Sequence, residues 1–302
     1  MNLLVTGAFS ATERELDAFR ALGHSVVFMQ DERGELPVEP EWAEGVICNG
    51  LFLYHSVEDF VNLRYVQLTS AGYDRVPMDY LTERGARVRN ARGVYSIPMA
   101  EFALSGVLSL YKRGRFFSDN QRAARWEKHR GLCELYGKNV LIVGCGSVGA
   151  ECAKRFNAFG THTRGLDLYP RRDELYEAVA PLSDLVFELS LADIVVLTLP
   201  LTEESRHLFD KKAFVAMKRD AVLVNIARGG VVDTEALCEA LGDKLFGAVL
   251  DVFEEEPLLS DSPLWKFENA LITPHNSFVG EGNADRLFKL ILENLKGNCS
   301  YD

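Results

Sequence analysis

Short apolar runs alternate with segments of helical spacing along nearly the whole chain. Residues 3–6, 25–29, 45–48 and 65–68 predict strands, because each is a brief, largely apolar stretch, and 87–89 continues the alternation as a further strand after the helix closed by Gly85. Residues 12–22 predict a helix stopped by Gly23, residues 57–62 a short helix, and residues 77–84 another closed by Gly85. A longer helix is predicted over 97–111, apolar on several sides and therefore buried. Further strands are predicted at 193–199, 221–225, 246–250 and 271–273, and a last helix at 280–296. Strands that alternate with helices imply parallel sheets with helical crossovers, an α/β architecture.

One of these units carries chemistry. Val140-Leu141-Ile142-Val143 runs directly into Gly144-Cys145-Gly146-Ser147-Val148-Gly149, a strand followed by G-x-G-x-x-G. The first glycine permits the tight turn, the second lets backbone amides approach a pyrophosphate, and the third lets the following helix, read over 150–159, pack against the strand. A helix start offers free N–H groups and the positive end of the helix dipole to a diphosphate. A second strand ends at Asp167, 18 residues past Gly149, where a carboxylate can accept from both ribose hydroxyls and repels a 2′-phosphate. NAD, with NADH preferred over NADPH, is the expected cofactor, although Arg171 and Arg172 just beyond are able to meet a 2′-phosphate.

Composition narrows the classes. At 302 residues the chain is long for one core and comfortable for two domains. The net charge, 33 − 44 = −11, argues against a nucleic-acid or anionic-membrane partner. Six cysteines, at 48, 133, 145, 152, 238 and 299, form no C-x-x-C pair and fit no zinc framework, so no metal is expected and a reducing cytoplasm is. Residues 1–7 read as a buried strand rather than a signal peptide, and no apolar run approaches the ~20 residues that span a bilayer. Cys145 has two readings, a small filler in the loop or a redox sensor, and the filler is preferred.

Three reactive side chains fall just past strand ends in the second half: Arg228 after 221–225, Glu256 after 246–250, and His275 after 271–273. Each alone has an ordinary reading: a surface charge, part of a solvated acidic run, a satisfied histidine. Strand ends of an open α/β sheet line its ligand crevice, as does the run into Leu199-Pro200, so the set behind a dinucleotide motif reads as a site.

The chain resembles the D-isomer-specific 2-hydroxyacid dehydrogenases over nearly its full length. The resemblance rests on Val143 to Gly149, on Leu199-Pro200-Leu201-Thr202-Glu203-Glu204-Ser205-Arg206-His207, and on Asn225-Ile226-Ala227-Arg228-Gly229-Gly230-Val231-Val232-Asp233. Leu250-Asp251-Val252-Phe253-Glu254-Glu255-Glu256-Pro257-Leu258, Thr273-Pro274-His275, Ser70-Ala71-Gly72-Tyr73-Asp74 and Ala100-Glu101-Phe102-Ala103 complete it. It implies two doubly wound domains: a flavodoxin-like substrate domain over 1–97 and 276–302, and a Rossmann NAD-binding domain over 98–275, with a crevice that closes over the reactants.

The resemblance also implies roles. Arg228 would hold the carboxylate of a small 2-keto or 2-hydroxy acid and polarise its keto oxygen. His275 would exchange the proton as hydride moves, and Glu256 would orient His275 and favour its protonated form. Gly144, Gly146, Ser147, Val148, Gly149, Asp167, Leu199, Pro200, Ala227, Arg228, Asp251 and His275 would contact the cofactor, with Asp251 on the nicotinamide carboxamide. Leu51 of the loop 49–54, Ser70 and the amides of Ala71 and Gly72 would contact the substrate. No Lys or Arg in that loop points to a small or apolar side chain rather than a phosphorylated one. The arm 97–129 would build a homodimer, though its apolar residues also suit an intramolecular core, and no regulatory domain is expected after the last helix. Asn276-Ser277-Phe278 departs from the small residues usual after this histidine; Phe278 either narrows the crevice or packs on the last helix, and packing is preferred. A second function class, a non-catalytic NAD(H)-sensing protein of the corepressor type, shares these residues; reduction of 2-keto acids is preferred because no long disordered tail or partner-binding extension is seen.

Overall fold

The computed structural model describes residues 1–297; Cys299 lies outside them. The chain divides into two compact units, Met1–Tyr95 with Gly280–Asp302, and Ser96–Val279. The resemblance set these boundaries at 97/98 and 275/276. Among the described residues no helix is long and apolar enough to cross a membrane.

The first unit opens with β1 (Asn2–Thr6), α1 (Glu13–Ala21), β2 (Ser25–Met29), β3 (Gly45–Cys48), β4 (Tyr65–Leu68), α2 (Met78–Glu83) and β5 (Arg87–Arg89). The strands form one parallel sheet in the order β2-β1-β3-β4-β5, the doubly wound order of flavodoxin-like folds. Helices must then cover both faces, which is why β3 and β4 are buried along their whole length. Successive residues of β1 separate accordingly: Leu4 joins the core on one face, with Val46, Leu51 and Leu68, while Leu3 and Val5 join the other, with Phe19 and Ile291. The predicted helix at 57–62 is only a single 3-10 turn, Val57–Asp59.

The second unit begins with α3 (Ser96–Tyr111) and α4 (Gly114–Arg122). It continues through β6 (Asn139–Val143), α5 (Ser147–Ala158), β7 (His162–Asp167), β8 (Val179–Pro181), α6 (Leu185–Leu191) and β9 (Ile194–Leu197). It closes with α7 (Lys211–Ala216), β10 (Val222–Asn225), α8 (Thr234–Asp243), β11 (Gly247–Leu250) and β12 (Ala270–Ile272). All seven strands are parallel, in the order β12-β11-β10-β9-β6-β7-β8. This is the Rossmann order with one strand added at an edge, and its switch point lies between β6 and β9. Val140 and Ile142 face one core, Leu141 and Val143 the other. The chain then returns to the first unit as α9 (Asn283–Leu295), which lays Leu287 and Ile291 on the β1 face and stacks Phe288 on Phe9 at 6.5 Å.

Candidate active site

The glycine loop leaves β6 at the switch point. Gly144 has φ +101°, and a Cβ there would lie 2.6 Å from the amide nitrogen of Leu199. Only glycine lets the end of β6 touch the end of β9, and Thr198 seals the contact by donating through Oγ1 to the Gly144 carbonyl at 2.6 Å. This brings Leu199 and Pro200 beside the loop. A Cβ on Gly149 would lie 2.1 Å from the Gly144 oxygen, so the third glycine is required for α5 to pack. Helix α5 starts at Ser147, one turn earlier than the hydrophobic pattern suggested, so Ser147, Val148 and Gly149 form its first turn. Gly146 is its N-cap with no side-chain cap, and a Cβ there would meet nothing within 4 Å. An uncapped helix start beneath open space, with no side chain to obstruct it, fits a pyrophosphate.

Asp167 ends β7. Its Oδ2 accepts from the Cys145 N–H at 2.7 Å and its Oδ1 from the Tyr169 N–H at 3.0 Å. The carboxylate therefore also braces the glycine loop, which its spacing alone did not reveal. Arg171 and Arg172 are exposed. Burial, together with the nearby Asp167 carboxylate, pushes the Cys145 thiol up to about 12, which favours the filler reading over a redox sensor.

The polar residues past β10, β11 and β12 are held mainly by backbone. Asn225, 1% exposed, brackets the turn after β10: its Oδ1 accepts from Ala227 N–H and its Nδ2 donates to the Arg228 carbonyl, both at 3.1 Å. A Cβ on Gly229 would sit 1.8 Å from the carbonyl carbon of Phe253, so the turn bearing Arg228 lies directly on the turn after β11. Glu256 in that second turn accepts from the Phe253 N–H through Oε1 at 3.0 Å and from His275 Nδ1 through Oε2 at 2.8 Å. The pairing expected between Glu256 and His275 is thus formed, and it leaves imidazole Nε2 as the free edge.

His275 follows β12 at φ +50°, a left-handed conformation that the surroundings must hold. Asp251 holds it. This carboxylate is fully buried and accepts from Thr273 Oγ1 at 2.6 Å, Asn276 N–H at 2.7 Å and Ser277 N–H at 2.8 Å. The Asp251 carbonyl also accepts from the His275 N–H at 2.8 Å. The resemblance implied a contact of Asp251 with the nicotinamide; what the structure adds is that its side chain braces the histidine turn, a role with no signal in residue spacing. Phe278 is 39% exposed, and its ring stands edge-on to the His275 imidazole with centroids 6.0 Å apart.

In the first unit, Ser70 Oγ donates to the Gly72 carbonyl at 3.0 Å and Asn90 Nδ2 to the Ala71 carbonyl at 2.6 Å, which shapes the loop after β4. Leu51, implied by the resemblance as a substrate contact, lies at the core side of its loop. Its side chain is fully buried among the core residues of this unit, because it begins a 3-10 turn, Leu51–Leu53, with that face inward. Leu53 and Tyr54 are the exposed side chains of the loop.

A Rossmann sheet with an open glycine loop and an Arg, Glu and His at its strand ends defines an oxidoreductase that moves hydride between a nicotinamide cofactor and a 2-keto or 2-hydroxy acid. The sequence model described as D-isomer specific 2-hydroxyacid dehydrogenase, NAD binding domain, matches residues 104–277, and the chain belongs to this family. It is 36% identical over 242 residues to a glyoxylate reductase of Korarchaeum cryptofilum, covering 77% of this chain and 72% of that protein. A D-isomer specific 2-hydroxyacid dehydrogenase family protein from Aeromonas salmonicida superposes with a TM-score of 0.83 at 30% identity, over 98% of this chain and 96% of that one. A D-isomer specific 2-hydroxyacid dehydrogenase from Xanthobacter autotrophicus, solved in complex with NADPH and MES, gives a TM-score of 0.78 at 29% identity, over 98% and 93% of the two chains.

Proposed function

We propose that this protein reduces small 2-keto acids with NADH, glyoxylate to its achiral hydroxy acid or those with a short apolar side chain to D-2-hydroxy acids. The observation that carries the reading is the 2.8 Å contact of Glu256 with His275, on the turn that lies against the Arg228 turn, in the unit that holds the glycine loop. The cofactor, when bound, supplies the hydride. Arg228 offers a planar, permanently charged fork to the substrate carboxylate and keto oxygen. His275 donates the Nε2 proton to that oxygen as it becomes the hydroxyl and regains a proton from solvent. Glu256 fixes the imidazole orientation through Nδ1.

The presence of Asp167 at the end of β7 supports NADH over NADPH, with Arg171 and Arg172 as the opposing feature. Homodimerisation through the arm is supported by Trp126, 96% exposed, beside a concavity of about 850 Å³. Asn120, 3% exposed, lines it with both side-chain polar atoms lacking a partner. Five free cysteines among the described residues suit a reducing cytoplasm. The decisive experiment ranks a panel of 2-keto acids by kcat/KM with each cofactor. Turnover of none of them, with NADH still bound, would favour the sensor reading. Sedimentation of wild type and Trp126→Ala tests the dimer.

A further inference from the structure

The acidic run Glu254-Glu255-Glu256 looks uniform in sequence, but its three carboxylates have different partners. Glu256 meets His275, Glu255 is exposed, and Glu254 turns back onto the start of α8. There its Oε2 accepts from the Thr234 N–H at 2.9 Å and from the Thr234 hydroxyl, while its Oε1 accepts from His207 Nε2 at 2.5 Å. His207 is itself fixed by donating its N–H to the Gly230 carbonyl at 2.9 Å. The three donors come from two segments, the α8 start and the stretch leading to Phe209, that flank the Arg228 turn. Burial raises the proton affinity of Glu254, yet the bonds from Thr234 and His207 outweigh it and hold the carboxyl below its usual value, so it stays charged.

The position of this clamp gives it leverage. A Cβ on Gly229 would lie 1.8 Å from Phe253 C and 2.4 Å from the Glu254 nitrogen, so the backbone that Glu254 anchors is the surface on which the Arg228 turn rests. The same backbone donates the Phe253 N–H that orients Glu256 at 3.0 Å. The geometry points to Glu254 as a positioning residue that registers Arg228 and the Glu256–His275 pair together, through the backbone of the turn after β11. This inference rests on the roles assigned above to Arg228, Glu256 and His275.

The test uses the full chain with NADH and glyoxylate. Glu254→Ala is expected to lower kcat about tenfold or more, because a misplacement near 1 Å costs up to about 100-fold. The KM for NADH should stay within about twofold. Glu254→Gln, which keeps an acceptor for the Thr234 N–H, should recover part of the loss, and Glu255→Ala none of the defect should appear in. The 15N imidazole resonances of His275 should move in Glu254→Ala. Wild-type kcat with unmoved resonances would overturn the inference, as would an equal loss in Glu255→Ala. Should Glu254→Ala not fold, Thr234→Val and His207→Ala, each removing one bond to Glu254, read the same split. If wild type turns over no keto acid, the functional assignment fails, and the His275 resonances still decide the clamp: moved supports it, unmoved overturns it.

Discussion

Gly146→Ala separates cofactor binding from folding. Gly146 has φ −76° and ψ −160°, a conformation any residue adopts, and its added methyl meets no protein atom within 4 Å. Two small effects oppose each other: alanine is a poorer N-cap than glycine by about half a kcal/mol, and it lowers unfolded-state entropy by ~0.4–1 kcal/mol. The free protein should therefore melt within about 2 °C of wild type. The same methyl stands where a pyrophosphate must approach the first N–H groups of α5. If it weakens NADH 100-fold, the consequence is calculable. At NADH equal to 100 times the wild-type Kd, binding stabilises the native state by about 2.7 kcal/mol; in the variant the ratio falls to one and the stabilisation to ~0.4 kcal/mol. A melting shift of about 5–10 °C with NADH should shrink to ~1–2 °C. Gly149→Ala is the contrast, since its Cβ would lie 2.1 Å from a backbone oxygen and the free protein itself should lose stability. Thermal melts with and without NADH, checked by NADH fluorescence titration, read both. A Gly146→Ala protein that keeps the full NADH shift would refute the cradle; one that melts far below wild type without NADH would refute the open space.

The remaining predictions concern chemistry. His275→Ala should lose kcat about 100-fold or more while retaining the NADH melting shift, and near wild-type turnover would mean another group is the acid. Arg228→Ala should damage kcat and KM together, with Arg228→Lys failing to restore either; an effect on KM alone would contradict a transition-state role. Wild type should prefer NADH at least about tenfold, ~1.4 kcal/mol, with Asp167→Ala narrowing the gap, and equal kcat/KM with NADPH in wild type would remove this reading. Asp167→Asn, which can keep an acceptor for the Cys145 N–H, controls for loop damage. Because the Cys145 thiol is pushed up to about 12, it stays protonated at lower pH, and native protein should resist iodoacetamide there between about pH 7 and 9; rapid labelling at pH 8, located by mass spectrometry, would show otherwise.

The sheet was readable because its strands are parallel and buried on both faces, so β3 and β9 stand out as unbroken apolar runs and β4 and β10 carry a single buried polar residue each, Gln67 and Asn225. The start of α5 was not, because Gly146 and Gly149 interrupt its hydrophobic pattern where the backbone must come close to neighbours or ligand. Helices α6 and α7 are only seven and six residues long and give too few turns for a clear period. Within the site, Arg228, Glu256 and His275 were visible as reactive groups after strand ends. The partners of Asp251 and Glu254 were not, since both accept from backbone N–H groups, which every residue but proline has and sequence cannot single out. The burial of Leu51 was not legible either: the first part of its loop, Gly50 to Phe52, turns inward onto the core, and only Leu53 and Tyr54 face out.

Two absent side chains let neighbouring strand ends touch. Gly144 joins the end of β6 to the end of β9, and Gly229 joins the turn after β10 to the turn after β11. Asp251 then ties β11 to the histidine turn after β12 through hydrogen bonds to backbone N–H groups and the Thr273 hydroxyl. The strand ends are therefore held largely by backbone contacts and by one buried carboxylate. Glu256 and His275, at 34% and 41% side-chain exposure, contribute little to that framework. Replacing them should cost activity without unfolding the unit, since no buried core contact is lost. Replacing Gly229 with alanine does the reverse: no reactive group is removed, yet a backbone clash at 1.8 Å forces the Arg228 turn off the Glu256 turn. Adjacent strand ends approach this closely only because glycine stands at the points of contact, so Gly229→Ala should lower turnover while leaving Arg228, Glu256 and His275 all present.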